Sequence, residues 1–217
     1  MESILDEGLH DGMLFLHHPS TWDLRRAPDI FTLMDRGLLS RFRERHISIF
    51  AYHVPLDNFG SYSTGVTLAQ ALGLSDLEPF SPYGGGLAGV LGELRDSDVG
   101  DLKFRLEAAV GHQCRLYQYG DSIIRSGQVG VVAGGGLALD VLRDLAEFDI
   151  NVLVTGVSVH NDFSAEAHLF AQEHSISVLG GTHYSTESFA CKAMVKYFRQ
   201  FGLPSAFVEG EPLFEDL

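Results

Sequence analysis

The chain has 217 residues, of which 45% are hydrophobic, and 15 Lys and Arg stand against 29 Asp and Glu, a formal net charge of −14. That length suits a globular chain with a full core, and the acidic balance argues against non-specific binding to nucleic acid or an anionic membrane surface. No apolar run approaches the roughly 18 residues that cross a bilayer, and the acidic N-terminus MESILDEGLHDG lacks the basic-then-apolar pattern of a signal peptide.

Residues 2–12 read as the end of a helix broken at Gly12, and MLFL (13–16) reads as a strand running straight into HHPS. The Arg-rich LMDRGLLSRFRERH (33–46) has apolar residues at helical spacing, ISIFAYH (47–53) is a strand, and TGVTLAQALGL (64–74) is a helix stopping at Gly73. SPYGGGLAGVLGEL (81–94) is glycine-rich, a loop or a tight connection to a short strand. DLKFRLEAAVG (101–111) is helical and CRLYQYG (114–120) is a strand. The second half alternates regularly: QVGVVAGGG (128–136) a buried strand ending in glycines, LALDVLRDLAEFD (137–149) an amphipathic helix, VLVTG (152–156) a strand. SAEAHLFAQEH (164–174) is then a helix, ISVLGG (176–181) a strand, and STESFACKAMVKYFRQFG (185–202) a long final helix.

Strands alternating with helices predict an α/β architecture with a largely parallel sheet, and no linker marks a domain boundary. A weak internal repeat is also present. MLFLHH, a linker and RERHISIFAYHVPLD resemble VLVTGVSVHN, a linker and QEHSISVLGGTHYSTE. Both units end in a strand, a histidine and a carboxylate four residues later. The expectation is one domain over 1–217, built as two similar interleaved lobes (about 1–125 and 126–217) with a cleft between them.

Two cysteines, Cys114 and Cys191, form no C-x-x-C pair and are too few for a disulfide framework, so a reducing cytoplasm is the expected setting. Ten histidines are many for this length, and three apolar strands end in them: His17 and His18, His53, and His183. Strand ends are where α/β folds place their sites. His53 and Asp57, like His183 and Glu187, stand four apart, so on a helix starting by Tyr184 the second pair shares one face. A lone H-x-x-x-E is ordinarily a surface pair and a His-His doublet before Pro is ordinarily structural. Three such features in one chain point instead to a transition metal: Zn, Fe, Mn or Co, which accept imidazole and carboxylate together. His10, His46, His112, His160, His168 and His174 fit helix, loop or packing roles. VVAGGGLALDVL lacks the spacing of a dinucleotide or P-loop fingerprint and reads as tight strand-to-helix packing. Ser122, Ser164 and Ser185 lack the setting of a hydrolase nucleophile.

In order along the chain, LHHPS, YHVPLDN and GTHYSTES resemble the HHP, H-x-x-L-D and GHYxxE marks of the NIF-three-like dinuclear metal-centre proteins, the GTP cyclohydrolase I type II homologues. YGGGLAGVLGEL, VVAGGG and VTG match intervening landmarks of that family. The resemblance implies two similar lobes and two divalent metal ions per chain, with His17, His18, Asp57, His183 and Glu187 as ligands, Glu187 bridging and His53 additional or alternating. It also implies a homo-oligomer, typically a ring-shaped hexamer.

Two departures stand out. The family's strand-helix-strand segment before HHP does not appear in these 217 residues, so the expectation is a first lobe N-terminally shortened relative to the family, whether by a short subfamily or by truncation of the sequence. The family's TGE is TGV, with Val157 in place of the acid. The leading expectation is a cytoplasmic metal-dependent hydrolase of a small nucleotide-like or phosphorylated substrate, its catalytic residues unassigned, with no nucleic-acid or membrane partner. The alternative is a non-enzymatic metal-handling or regulatory protein.

Overall fold

The computed structural model describes residues 2–6, 8–18 and 36–217, without the side chains of Glu2, Ser3 and Arg36. Pro19 and Ser20 of HHPS, and residues 33–35 of the Arg-rich stretch, lie outside the described residues. Packing separates the chain into two compact units, Met1–Pro55 and Leu56–Leu217.

In the first unit, α1 (Glu2–Asp6) and β1 (Gly12–Leu16) are followed by α2 (Arg36–Glu44) and β2 (Ile47–Ala51). Helix α1 is shorter than the sequence pattern predicts. It gives way at Gly8, whose φ of +74° ends a helix cheaply, while Gly12 is the first residue of the strand. β1 and β2 pair in parallel, Gly12 opposite Ile47 through Leu16 opposite Ala51. Ile4, Leu5, Phe42 and Ile47 form the core of this unit, with Leu14, Leu38 and Ile49 against it. The Arg45 guanidinium also donates to the Leu5 carbonyl.

The short helix α3 (Val54–Asp57) leads into the second unit. There α4 (Thr64–Ala71), β3 (Ser75–Tyr83), β4 (Gly86–Glu93), α5 (Val99–Val110) and β5 (Arg115–Tyr117) precede β6 (Gln128–Val132), α6 (Leu139–Glu147) and β7 (Val152–Thr155). Then come α7 (Ala165–Glu173), β8 (Ser177–Gly180) and α8 (His183–Gln200). The strands make one six-stranded sheet in the order β3-β4-β6-β7-β8-β5. Only β6-β7 and β7-β8 are parallel pairs, whereas β3-β4, β4-β6 and β5-β8 are antiparallel. The sheet is therefore mixed rather than largely parallel. Part of the difference comes from β3-β4, where YGGG closes a hairpin: Gly84 and Gly85 have φ of +58° and +91°, as a two-residue turn with both central residues at positive φ requires. The rest comes from β5, which joins the other edge antiparallel to β8.

Alternation along the strands divides the core in two. Val129, Val131, Val152, Val154 and Leu179 pack toward α4 and α5. Leu153 and Val178 face the other way, onto Val141, Leu142 and Leu145 of α6 and Ala167 and Ala171 of α7. Helices thus cover both faces of the sheet, and its three parallel strands read in sequence as short continuous apolar runs for that reason.

The weak repeat in the sequence is now a pair of β-α-β units. β1, α2 and β2 form one, and β7, α7 and β8 form the other, each with its two strands parallel.

Candidate metal centre

In both β-α-β units the chemistry-bearing residues follow the carboxyl ends of the parallel strands, where side chains leave the core. In the first unit, His17 and His18 follow Leu16, and His53 follows Tyr52 just past Ala51, its β2 partner in register. The ladder extends one step further, with the Tyr52 N–H donating to the Leu16 carbonyl at 2.9 Å. That register brings the three imidazoles together. Their ring centroids lie 4.7–4.8 Å apart, and each ring offers a nitrogen within 4.8 Å of the other two. His17 is buried, and its Nδ1 lies 3.3 Å from the Tyr52 carbonyl, a partner of the kind that orients a ligand imidazole.

In the second unit, α8 begins at His183, so His183 and Glu187 are one turn apart on one face: Nε2 lies 2.9 Å from Oε1. Glu187 is buried, as is Asp57, whose Oδ1 accepts from the Thr64 hydroxyl at 3.2 Å. Packing of α4 on α8 brings a carboxylate oxygen of Asp57 within 4.8 Å of one from Glu187. Two buried carboxylates that close repel each other, and a cation relieves that repulsion.

Four further residues shape this second donor set, and motif reading assigned none of them to it. Gly134, in the VVAGGG loop after β6, has φ of +66°, and a Cβ there would stand 2.0 Å from Glu187 Oε1 and 2.9 Å from His183 Nε2. The glycine is the floor on which the pair rests, so the loop does more than pack strand to helix. Thr186 ties that floor to α8, its hydroxyl accepting from the Gly134 N–H at 3.0 Å. Tyr83, at the tip of the β3-β4 hairpin, has its phenol pushed up by burial and by the charges of Asp57 and Glu187, which keeps it a hydrogen-bond donor. Thr182 stands where the family motif has glycine. It caps α8 by accepting from Ser185 N–H at φ +64°, ψ +148°, a region nearly reserved for glycine and a store of backbone strain beside His183.

The histidines read as non-ligands have other partners. His10 and His46 pair with Asp11, His112 Nε2 accepts from the Ser185 hydroxyl at 2.8 Å, and His174 stacks on Phe170. His168 is fully buried; Tyr119 O–H donates to its Nδ1 at 2.9 Å, its Nε2 donates to the Ser158 carbonyl at 3.0 Å, and His160 stacks on it. Val157 is half-buried, and its N–H donates to the Gly134 carbonyl at 2.8 Å.

Fold and donor chemistry define an α/β protein with clustered imidazole and carboxylate groups of the kind that could hold a metal ion. The model of the Duf34/NIF3 (NGG1p interacting factor 3) family matches residues 2–211, and the chain belongs to that family. It is 29% identical over 202 residues to a GTP cyclohydrolase 1 type 2 homolog of Pyrococcus abyssi, covering 91% of this chain and 75% of the relative. A Deinococcus radiodurans protein of the same name is 29% identical over 198 residues, covering 90% and 71%. Among solved structures, a Thermus thermophilus protein superposes with a TM-score of 0.74 at 26% identity over 97% of this chain and 78% of its own. A Bacillus cereus protein related to NIF3 gives 0.68 at 12% identity over 98% and 85%, a likeness of fold. No helix among the described residues is long and apolar enough to cross a membrane.

Proposed function

We propose that His17, His18, His53, Asp57, His183 and Glu187 together hold two divalent transition-metal ions, and that the protein is a metal-dependent hydrolase of a small nucleotide-like or phosphorylated molecule. The observation that carries this is a donor cluster in each unit taken by itself: three imidazoles, His17, His18 and His53, in the first, and His183, Glu187 and Asp57 in the second. The donor set fits the group: imidazole with carboxylate suits Zn, Fe, Mn or Co, and the missing Cβ of Gly134 leaves the Glu187 oxygens room for a ligand. When bound, such ions activate water near neutral pH and neutralise the charge of a phosphate. Glu187 would be the ligand shared between the ions, since it stands beside both His183 and Asp57. The GTP cyclohydrolase 1 type 2 name of the relatives supports a nucleotide as the first substrate to try. Assembly into a homo-oligomer, a hexamer by resemblance, completes the reading.

A second reading has one specific observation in its favour. Val157 supplies no proton-transferring group in the loop after β7, which suits a metal-handling protein whose ions are cargo. Turnover separates the two. Metal-loaded protein should hydrolyse a nucleotide or generic phosphoester, and the reaction should stop on chelation. Fast metal exchange with no turnover would favour the metal-handling reading.

A further inference from the structure

The last residues of the chain, beyond the family match, form a 3₁₀ turn, Phe214–Asp216, that meets the second donor set at three points. Asp216 Oδ2 accepts from the backbone N–H of His183 at 2.9 Å. The Asp216 carbonyl accepts from Ser158 and Val159 at 2.7 and 2.8 Å, pinning the loop after β7. The Phe214 and His112 rings meet nearly perpendicular with centroids 5.2 Å apart, and His112 is bonded to Ser185 in the first turn of α8.

Each contact answers a local need. The first amides of a helix have no partner within it, and a carboxylate there is favoured by the helix dipole. Thr182 serves Ser185 N–H with its hydroxyl and Thr186 N–H with its carbonyl, and Asp216 serves His183. The backbone of Thr182 is strained at φ +64°, and strain of this kind persists only where the surroundings over-determine it. The turn also holds Ser158 and Val159. Their neighbours Gly156 and Val157 donate to the Gly134 carbonyl, so the support runs on to the glycine beneath His183 and Glu187.

We propose that Asp216 is a positioning residue for the metal centre: it fixes the first turn of α8 and so the aim of the His183 imidazole. The proposal rests on His183 being a metal ligand. The test is a cobalt(II) titration of the 217-residue chain, read by visible absorption and by competition with a chromophoric chelator, for wild type, Asp216→Ala, Asp216→Asn and His183→Ala. Melting of the metal-free protein is followed in parallel. Asp216→Ala should weaken cobalt binding by about tenfold, the lower end of what supporting groups contribute, and should change the absorption band. Asp216→Asn keeps an oxygen acceptor for the His183 N–H and should restore most of both. If Asp216→Ala does not fold, Phe214→Ala, which loosens the turn but keeps the carboxylate, should show a smaller loss with the same change of band. A lowered melting temperature with unchanged cobalt affinity and spectrum, while His183→Ala loses the metal, overturns the proposal. If His183→Ala itself binds like wild type, it is the metal reading that fails.

Discussion

Gly134→Ala is the sharpest perturbation that the second donor set offers. Alanine at φ +66° costs about 1–2 kcal/mol, which for a chain of this size lowers the melting temperature by roughly 2–4 °C per kcal/mol. The larger effect is steric. The new methyl would stand 2.0 Å from Glu187 Oε1, and real Cβ contacts essentially never fall below 3.0 Å, so the oxygen must retreat by about 1 Å. Metal-ligand distances tolerate about 0.2 Å, so Glu187 is lost as a ligand. Losing a supporting group costs 10–100-fold in affinity, and losing the bridging ligand should cost at least about 100-fold. Gly135→Ala is the control, because a Cβ there meets nothing within 4 Å and its backbone is not at positive φ. Calorimetric titration with zinc should show Gly135→Ala near wild type and Gly134→Ala with binding all but abolished. Wild-type affinity in Gly134→Ala, or equal losses in both variants, would refute the reasoning.

Glu187→Ala should lose more metal than Asp57→Ala, because a carboxylate serving two cations screens their mutual repulsion; equal losses on titration would mean that Glu187 serves one ion. Val157→Glu restores an ionising group to the loop after β7 and should raise metal-dependent hydrolysis at least about tenfold, below the usual range for general acid–base help, with metal content unchanged. Lower stability without faster turnover would favour the metal-handling reading. Burial pushes the pKa of His168 down, so below about pH 6.5 the unfolded chain takes up a proton that the folded chain resists. Its contribution is therefore whole above that pH and lost as pH falls. Urea midpoints between pH 7 and 5 should fall less steeply in His168→Gln than in wild type, and parallel slopes would contradict the assignment.

Much of the fold was legible because local and tertiary demands agree. β6, β7 and β8 are buried on both faces, so they appear as charge-free runs, and α6 shows its apolar stripe plainly. β3 was not legible: SDLEPFSPY carries two prolines and two acids and has no alternation. It is tolerated as a strand because it lies at the sheet edge, where a missing N–H costs least. Overlooking it, together with the antiparallel placing of β5 beside β8, is what made the sheet seem largely parallel. Among the proposed ligands, His17, His18, His53, His183 and Glu187 stand out in the sequence because each breaks an apolar strand end or sits one turn from such a residue. Gly134, Tyr83 and Asp216 do not. Their roles depend on where β6, the hairpin tip and the chain's last turn arrive in space, and nothing in their own neighbourhoods encodes that.

The central claim is the metal centre, and the most direct measurement is elemental analysis of protein purified without a histidine tag or added metal. The expected result is two transition-metal ions per chain, falling to a fraction of that in His183→Ala and Glu187→Ala. Protein free of metal that also takes up none when zinc, iron, manganese or cobalt is supplied would contradict it.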